Sequence, residues 1–120
     1  EDILGSMEYG CKVSGAKLIL VLGHQSCGAI ISAIDDVKLG NITKLLAKIK
    51  PALNKSQNYK GEKTSKDKNY VDEVGYRNVL NSIETIKTKS PVLKEMLDKN
   101  EIRIAGGYYY METGEVKFIE

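Results

Sequence analysis

Residues 18–24 read Leu-Ile-Leu-Val-Leu-Gly-His, five consecutive apolar side chains followed by a glycine and the chain's only histidine. A run this short and unbroken suits a strand buried on both faces, as in a parallel sheet, and falls far short of a membrane span. The chain has 120 residues, enough for one core and one domain. A strand of this kind then commits most of the remaining chain to helices that cover it. The expected fold class is α/β: a layered domain with a mostly parallel central sheet flanked by helices and closed by a C-terminal β-hairpin.

The flanking patterns agree. Residues 1–16 carry Ile3, Leu4, Met7 and Cys11 at helical spacing, with acidic residues at the start and Gly15 as the stop. After the strand, a helix is expected from Cys27 or Gly28 through Ala33. Asn41 is the expected N-cap of a next helix with Ile42, Leu45, Leu46, Ile49 and Leu53 as its stripe, bent or ended by Pro51. Residues 70–87 place Val71, Val74, Val79, Ile83 and Ile86 on one inner side. Ser90-Pro91 is a cap and first-turn proline opening a helix with Val92, Leu93, Met96 and Leu97 inside. Ile102 and Ile104, then Val116 and Phe118, alternate around the turn signal Glu-Thr-Gly-Glu, which reads as a hairpin.

Residues 54–69 break this periodicity. They carry five lysines against two acids and read as a solvated basic loop, with a phosphate- or membrane-contacting patch as the less ordinary alternative. The overall net charge of +2 implies no nucleic-acid partner. Two cysteines, Cys11 and Cys27, make no disulfide framework and suggest a reducing compartment, hence a cytoplasmic location. Cys11 shares the face of Met7 and Leu4 and reads as a core residue.

The chemistry concentrates in Gly23-His24-Gln25-Ser26-Cys27-Gly28. A phosphate loop is rejected, since Ala29-Ile30 stand where lysine and Ser/Thr belong. A nucleophile elbow at Ser26 needs a histidine reached through space, and the chain's only one lies two residues away on the same turn. A Cys27 nucleophile activated by His24 is chemically possible, although one tight turn is an unusual way to build such a pair. A metal site fits the residue types best. Imidazole and thiolate are both good Zn²⁺ donors, His-x-x-Cys presents both from one loop, and Gly23 and Gly28 would let the backbone bend around the ion. The carboxyl end of a parallel strand is also where open α/β sheets place their sites. A packed cysteine beside a solvated histidine stays open on residue chemistry alone.

The stretch Ile-Leu-Val-Leu-Gly-His-Gln-Ser-Cys-Gly-Ala-Ile resembles the second zinc-ligand motif of the β-class carbonic anhydrases. The similarity extends to the preceding helix, the segments at 40–53 and 78–97, and the closing "IRIAGGYYYMETGEVKFIE", where Tyr110 stands in place of an expected aspartate. The resemblance implies reversible hydration of carbon dioxide to bicarbonate and a proton, with Zn²⁺ as cofactor and His24 and Cys27 as two of its protein ligands. It also implies that the Gly28 N–H faces substrate or a ligand sulfur. With no second histidine, a tyrosine, a carboxylate or buffer must carry the proton.

The family's earlier Cys-x-Asp-x-Arg motif, source of another cysteine ligand and an Asp-Arg pair, has no counterpart in these residues. The catalytic residues are therefore unknown. The chain is expected to be the C-terminal part of a β-carbonic-anhydrase-like domain lacking the family's N-terminal strands. Residues 17–22 would then form an apolar edge that pairs with a missing N-terminal segment or with another copy, giving a homo-oligomer. The alternative is a catalytically inactive carbonic-anhydrase-like domain serving interaction or regulation.

Overall fold

The structure is a computed structural model, and it describes residues 1–119. Helix α1, Asp2–Glu8, continues into a π-helical turn, Tyr9–Val13, and Gly15 at φ +83° reverses the chain into the sheet. Leu4, Met7 and Cys11 face the core as the spacing predicts, whereas Ile3, in the exposed first turn, does not.

Strands β1 (Leu18–His24), β2 (Arg103–Tyr110) and β3 (Glu115–Phe118) form a single sheet in the order β1-β2-β3. The β1–β2 pair is parallel, with Gly23 opposite Tyr108 and His24 opposite Tyr109; β2 and β3 are antiparallel. The sheet is thus mixed rather than mostly parallel. Burial also differs from the expectation. Ile19 is buried, but Leu18, Leu20 and Leu22 are 56%, 44% and 49% exposed. Alternation along a strand divides its side chains between two faces, and among the described residues helices cover only one. Among the described residues β1 has one neighbour, β2, and its other edge is free.

Helices α2 (Gly28–Ile34), α3 (Gly40–Ala47), α4 (Lys50–Lys55), α5 (Lys68–Lys89) and α6 (Pro91–Asp98) complete the chain. The 22-residue α5 organises two apolar clusters. Its first half, through Tyr70, Val71 and Val74, packs with Ile30, Ala33, Leu46, Ile49 and Ala52. Its last turns, through Ile86, meet Cys11, Ile19, Leu93, Met96 and Ile102. Val74 and Leu93 are fully buried, each contributing about 1.5–3 kcal/mol of hydrophobic free energy.

The helix ends were partly foreseen. Ser90 caps α6, its Oγ accepting from Leu93 N at 3.2 Å, and Pro91 takes the first turn. Asn41 is not a cap: α3 begins a residue earlier, at Gly40 with φ +47°, and Thr43 Oγ1 accepts from the Leu39 N–H at 2.8 Å. Pro51 does not end a helix but lies in the first turn of α4, where a missing N–H costs nothing. Ile42 and Leu45 point outward, Val92 is exposed, and the basic loop begins after Lys55.

Candidate metal centre

Three residues join the end of β1, His24, to α2, and each has a distinct place. His24 ends β1 on its exposed face. Gln25 keeps the chain on the sheet a step further, its N–H donating to the Tyr109 carbonyl at 3.0 Å. Ser26 makes the reversal with φ +54°, a left-handed conformation that a serine adopts at a cost. Cys27 then takes the N-cap position of α2, half-buried, in extended backbone.

The bend therefore rests on Ser26 and not on the two flanking glycines. Gly23 serves packing: a Cβ there would lie 2.9 Å from Val79 Cγ2 and 3.1 Å from Tyr108 Cδ1. Gly28, the first residue of α2, has open space around its Cα.

His24 and Cys27 line one cleft of about 250 Å³ beside the free edge of β1. Its remaining walls are apolar residues of β1 and α2, Ile49 at the N-cap of α4, and Gly75, Asn78, Val79 and Ser82 of α5. Ser26 is not among the lining residues.

The His24 ring has a defined polarity. Its Nδ1 lies 2.9 Å from the Gln25 carbonyl oxygen, and a carbonyl can only accept. Nδ1 therefore carries the proton, and Nε2 keeps its lone pair, the form in which imidazole ligates a metal. With the Cys27 sulfur this makes two soft donors on one cleft. Among the described residues no third His, Cys, Asp or Glu joins them, so these residues supply at most two of the four donors a zinc ion takes. Cys11 lies buried in the α1–α6 cluster, as its spacing predicts, and takes no part.

The sequence did not single out the tyrosine packed behind Gly23 and Gly75 of the cleft wall. Tyr108 is 1% exposed and its hydroxyl donates to Asp72 Oδ1 at 2.8 Å. Burial, then the hydrogen bond and charge of Asp72, then the nearby Cys27, push its ionisation far above the ordinary value of 10. The signal available was Gly75, an isolated glycine inside a strong helical pattern. Such a residue usually marks a close approach, and here a Cβ would come within 2.8 Å of the Tyr108 hydroxyl.

The class so defined is an α/β protein with an imidazole and a thiol lining one cleft at the carboxyl end of a sheet-edge strand. A family model described as carbonic anhydrase matches residues 1–116. The chain belongs to the β-class carbonic anhydrase family. It is 29% identical over 117 residues to "Carbonic anhydrase 2" of Mycobacterium tuberculosis, covering 93% of this chain and 53% of that protein. Against a carbonic anhydrase of Mycolicibacterium smegmatis it is 29% identical over 120 residues, covering 96% and 55%. The chain thus spans about half the length of these curated relatives. Its fold matches a β-carbonic anhydrase of Aspergillus fumigatus with a TM-score of 0.83 at 18% identity, covering 100% of this chain and 57% of the other. A tetrameric β-carbonic anhydrase of Sordaria macrospora matches with a TM-score of 0.82 at 19% identity, covering 98% and 59%.

Proposed function

We propose that the protein hydrates carbon dioxide reversibly to bicarbonate and a proton, using zinc held in part by His24 and Cys27. The observation that carries this reading is the opening of both donors onto one cleft, with His24 Nδ1–H spent on the Gln25 carbonyl so that Nε2 is the free donor. When bound, zinc supplies the Lewis acidity that makes water a nucleophile near neutral pH.

The chain's own residues do the rest. Gln25 orients the imidazole through its carbonyl. The apolar walls suit an uncharged substrate such as carbon dioxide. Gly28, unobstructed at the start of α2, offers an N–H toward substrate. Asn78 and Ser82 are the polar groups of the facing helix, available to bicarbonate or to the departing proton. The remaining protein donor comes with a further strand paired to the free edge of β1, where the apolar cleft receives its side chains. We take the assembly to be a homo-oligomer, as the tetrameric relative from Sordaria macrospora is. Two free cysteines suit a reducing compartment, which we take to be the cytoplasm.

A silent, carbonic-anhydrase-like interaction domain is the second reading, favoured by the lack of a third donor among the described residues. Zinc content by mass spectrometry and carbon dioxide hydration by stopped flow separate the two. The enzyme reading expects zinc near stoichiometric and both signals to fall at least about 100-fold in Cys27→Ser, beyond the loss from a single outer-shell partner. Zinc content and hydration rate unchanged in that variant overturn it. Bound zinc without hydration selects the silent domain.

A further inference from the structure

Charge is unevenly distributed along this chain. Residues 38–68 hold nine lysines and two acids, a formal charge of +7, while the remainder holds nine basic and fourteen acidic residues, −5. The segment comprises α3, α4 and the loop that follows. It packs as one lobe, with Leu46, Ile49 and Ala52 inside the cluster formed with α2 and the start of α5, and all nine lysines exposed. Among the described residues only Lys38 has a carboxylate at ion-pair distance, Asp36 at 3.0 Å. Elsewhere Arg77, Lys94 and Lys99 each pair with a carboxylate four residues away. What sets the lobe apart is its composition: nine lysines against two acids leave its positive field largely uncompensated from within the segment.

Apolar side chains stand within that field. Leu39, Ile42 and Leu45, three residues apart, are 66%, 42% and 58% exposed, and Lys38, Lys44 and Lys48 flank them. Exposed apolar residues ringed by lysines on a short helix are the pattern of a segment lying in a lipid headgroup layer. We propose that this lobe docks on an anionic phospholipid surface, its lysines against headgroup charges and Leu39, Ile42 and Leu45 in the acyl boundary. A nucleic-acid partner fits less well. The segment has no arginine for bidentate contacts. Its one aromatic, Tyr59, is occupied by Tyr70 at 5.3 Å and by Asp67, so no ring is free to stack on a base.

The test is co-sedimentation of the protein with phosphatidylcholine vesicles, alone or with about 30 mol % phosphatidylserine, at low and high salt. The expected result is at least about tenfold more binding to the anionic vesicles, lost at high salt. Lys44→Glu with Lys48→Glu should remove that gain while circular dichroism and Tm stay unchanged. Leu45→Ser should weaken binding at constant charge. Equal binding to both vesicle types, or full binding by the lysine double variant, overturns the proposal. So does tighter binding to a single-stranded oligonucleotide that Leu45→Ser leaves intact.

Discussion

The Tyr108 hydroxyl and the Asp72 carboxylate meet at 2.8 Å, tying β2 to α5 beside the strand end that carries His24. Tyr108 lies opposite Gly23 in the parallel ladder, edge-on to Tyr76 at 4.4 Å and to Tyr110 at 5.4 Å. The Tyr76 and Tyr110 hydroxyls are themselves hydrogen-bonded. Removing the Tyr108 hydroxyl leaves Asp72 short of a donor in a half-buried place, which should cost about 1–2 kcal/mol.

That bond sets an alkaline limit on stability. Folding holds the Tyr108 proton well above the ordinary value of 10, chiefly through burial and then through Asp72. Above about pH 10 the unfolded chain loses this proton while the folded chain keeps it, so the unfolded state binds fewer protons and stability falls as pH rises. The contribution is complete below about pH 10 and lost above it. Tm measured from about pH 8 to 11 should decline at the alkaline end, and more gently in Tyr108→Phe. Parallel declines in the two proteins would contradict this account.

Gly23→Ala and Gly75→Ala press on the same ring from two sides, because their Cβ atoms would lie 3.1 Å from Tyr108 Cδ1 and 2.8 Å from its hydroxyl. Each should destabilise by about 1–3 kcal/mol through overpacking, read from urea unfolding midpoints. Gly23 adjoins His24, so its variant should also bind zinc more weakly. Gly75→Ala at wild-type stability would mean the ring has room to give.

The sequence revealed what depends on local pattern. Val71, Val74, Val79, Ile83 and Ile86 repeat at helical spacing, and all five are buried on α5. That His24 and Cys27 would face one cleft was legible because both sit within one turn. Relations across the fold were not. Tyr108 and Asp72 are 36 residues apart, and nothing in either neighbourhood names the other. The free edge of β1 misled for a related reason. An unbroken apolar run reports that both faces can be buried, whereas among the described residues only the face carrying Ile19 and Val21 is covered.

Ser90 joins a local and a distant bond in one side chain. It is fully buried, accepts from Leu93 N at 3.2 Å as the cap of α6, and donates to Glu8 Oε2 at 2.6 Å on α1. Ser90→Ala removes both and should cost about 1–3 kcal/mol. Glu8→Gln keeps an acceptor at the end of α1 and should cost less. A urea midpoint for Ser90→Ala within error of wild type would show that neither bond contributes.

The uncovered sheet face makes the last prediction. Leu18, Leu20 and Leu22 of β1 lie exposed on the face where Val116 and Phe118 of β3 are exposed too, and β1 keeps one edge free. A contiguous apolar face of this kind beside an unpaired edge associates unless charge interrupts it. Leu20→Lys puts a charge at its centre without touching the covered side, where Ile19 and Val21 pack. Sedimentation velocity at micromolar concentration should show wild-type protein in species larger than one chain and Leu20→Lys shifted toward the single chain, with zinc uptake by His24 and Cys27 measured alongside. If the variant keeps the wild-type sedimentation profile, the association surface lies elsewhere on the molecule.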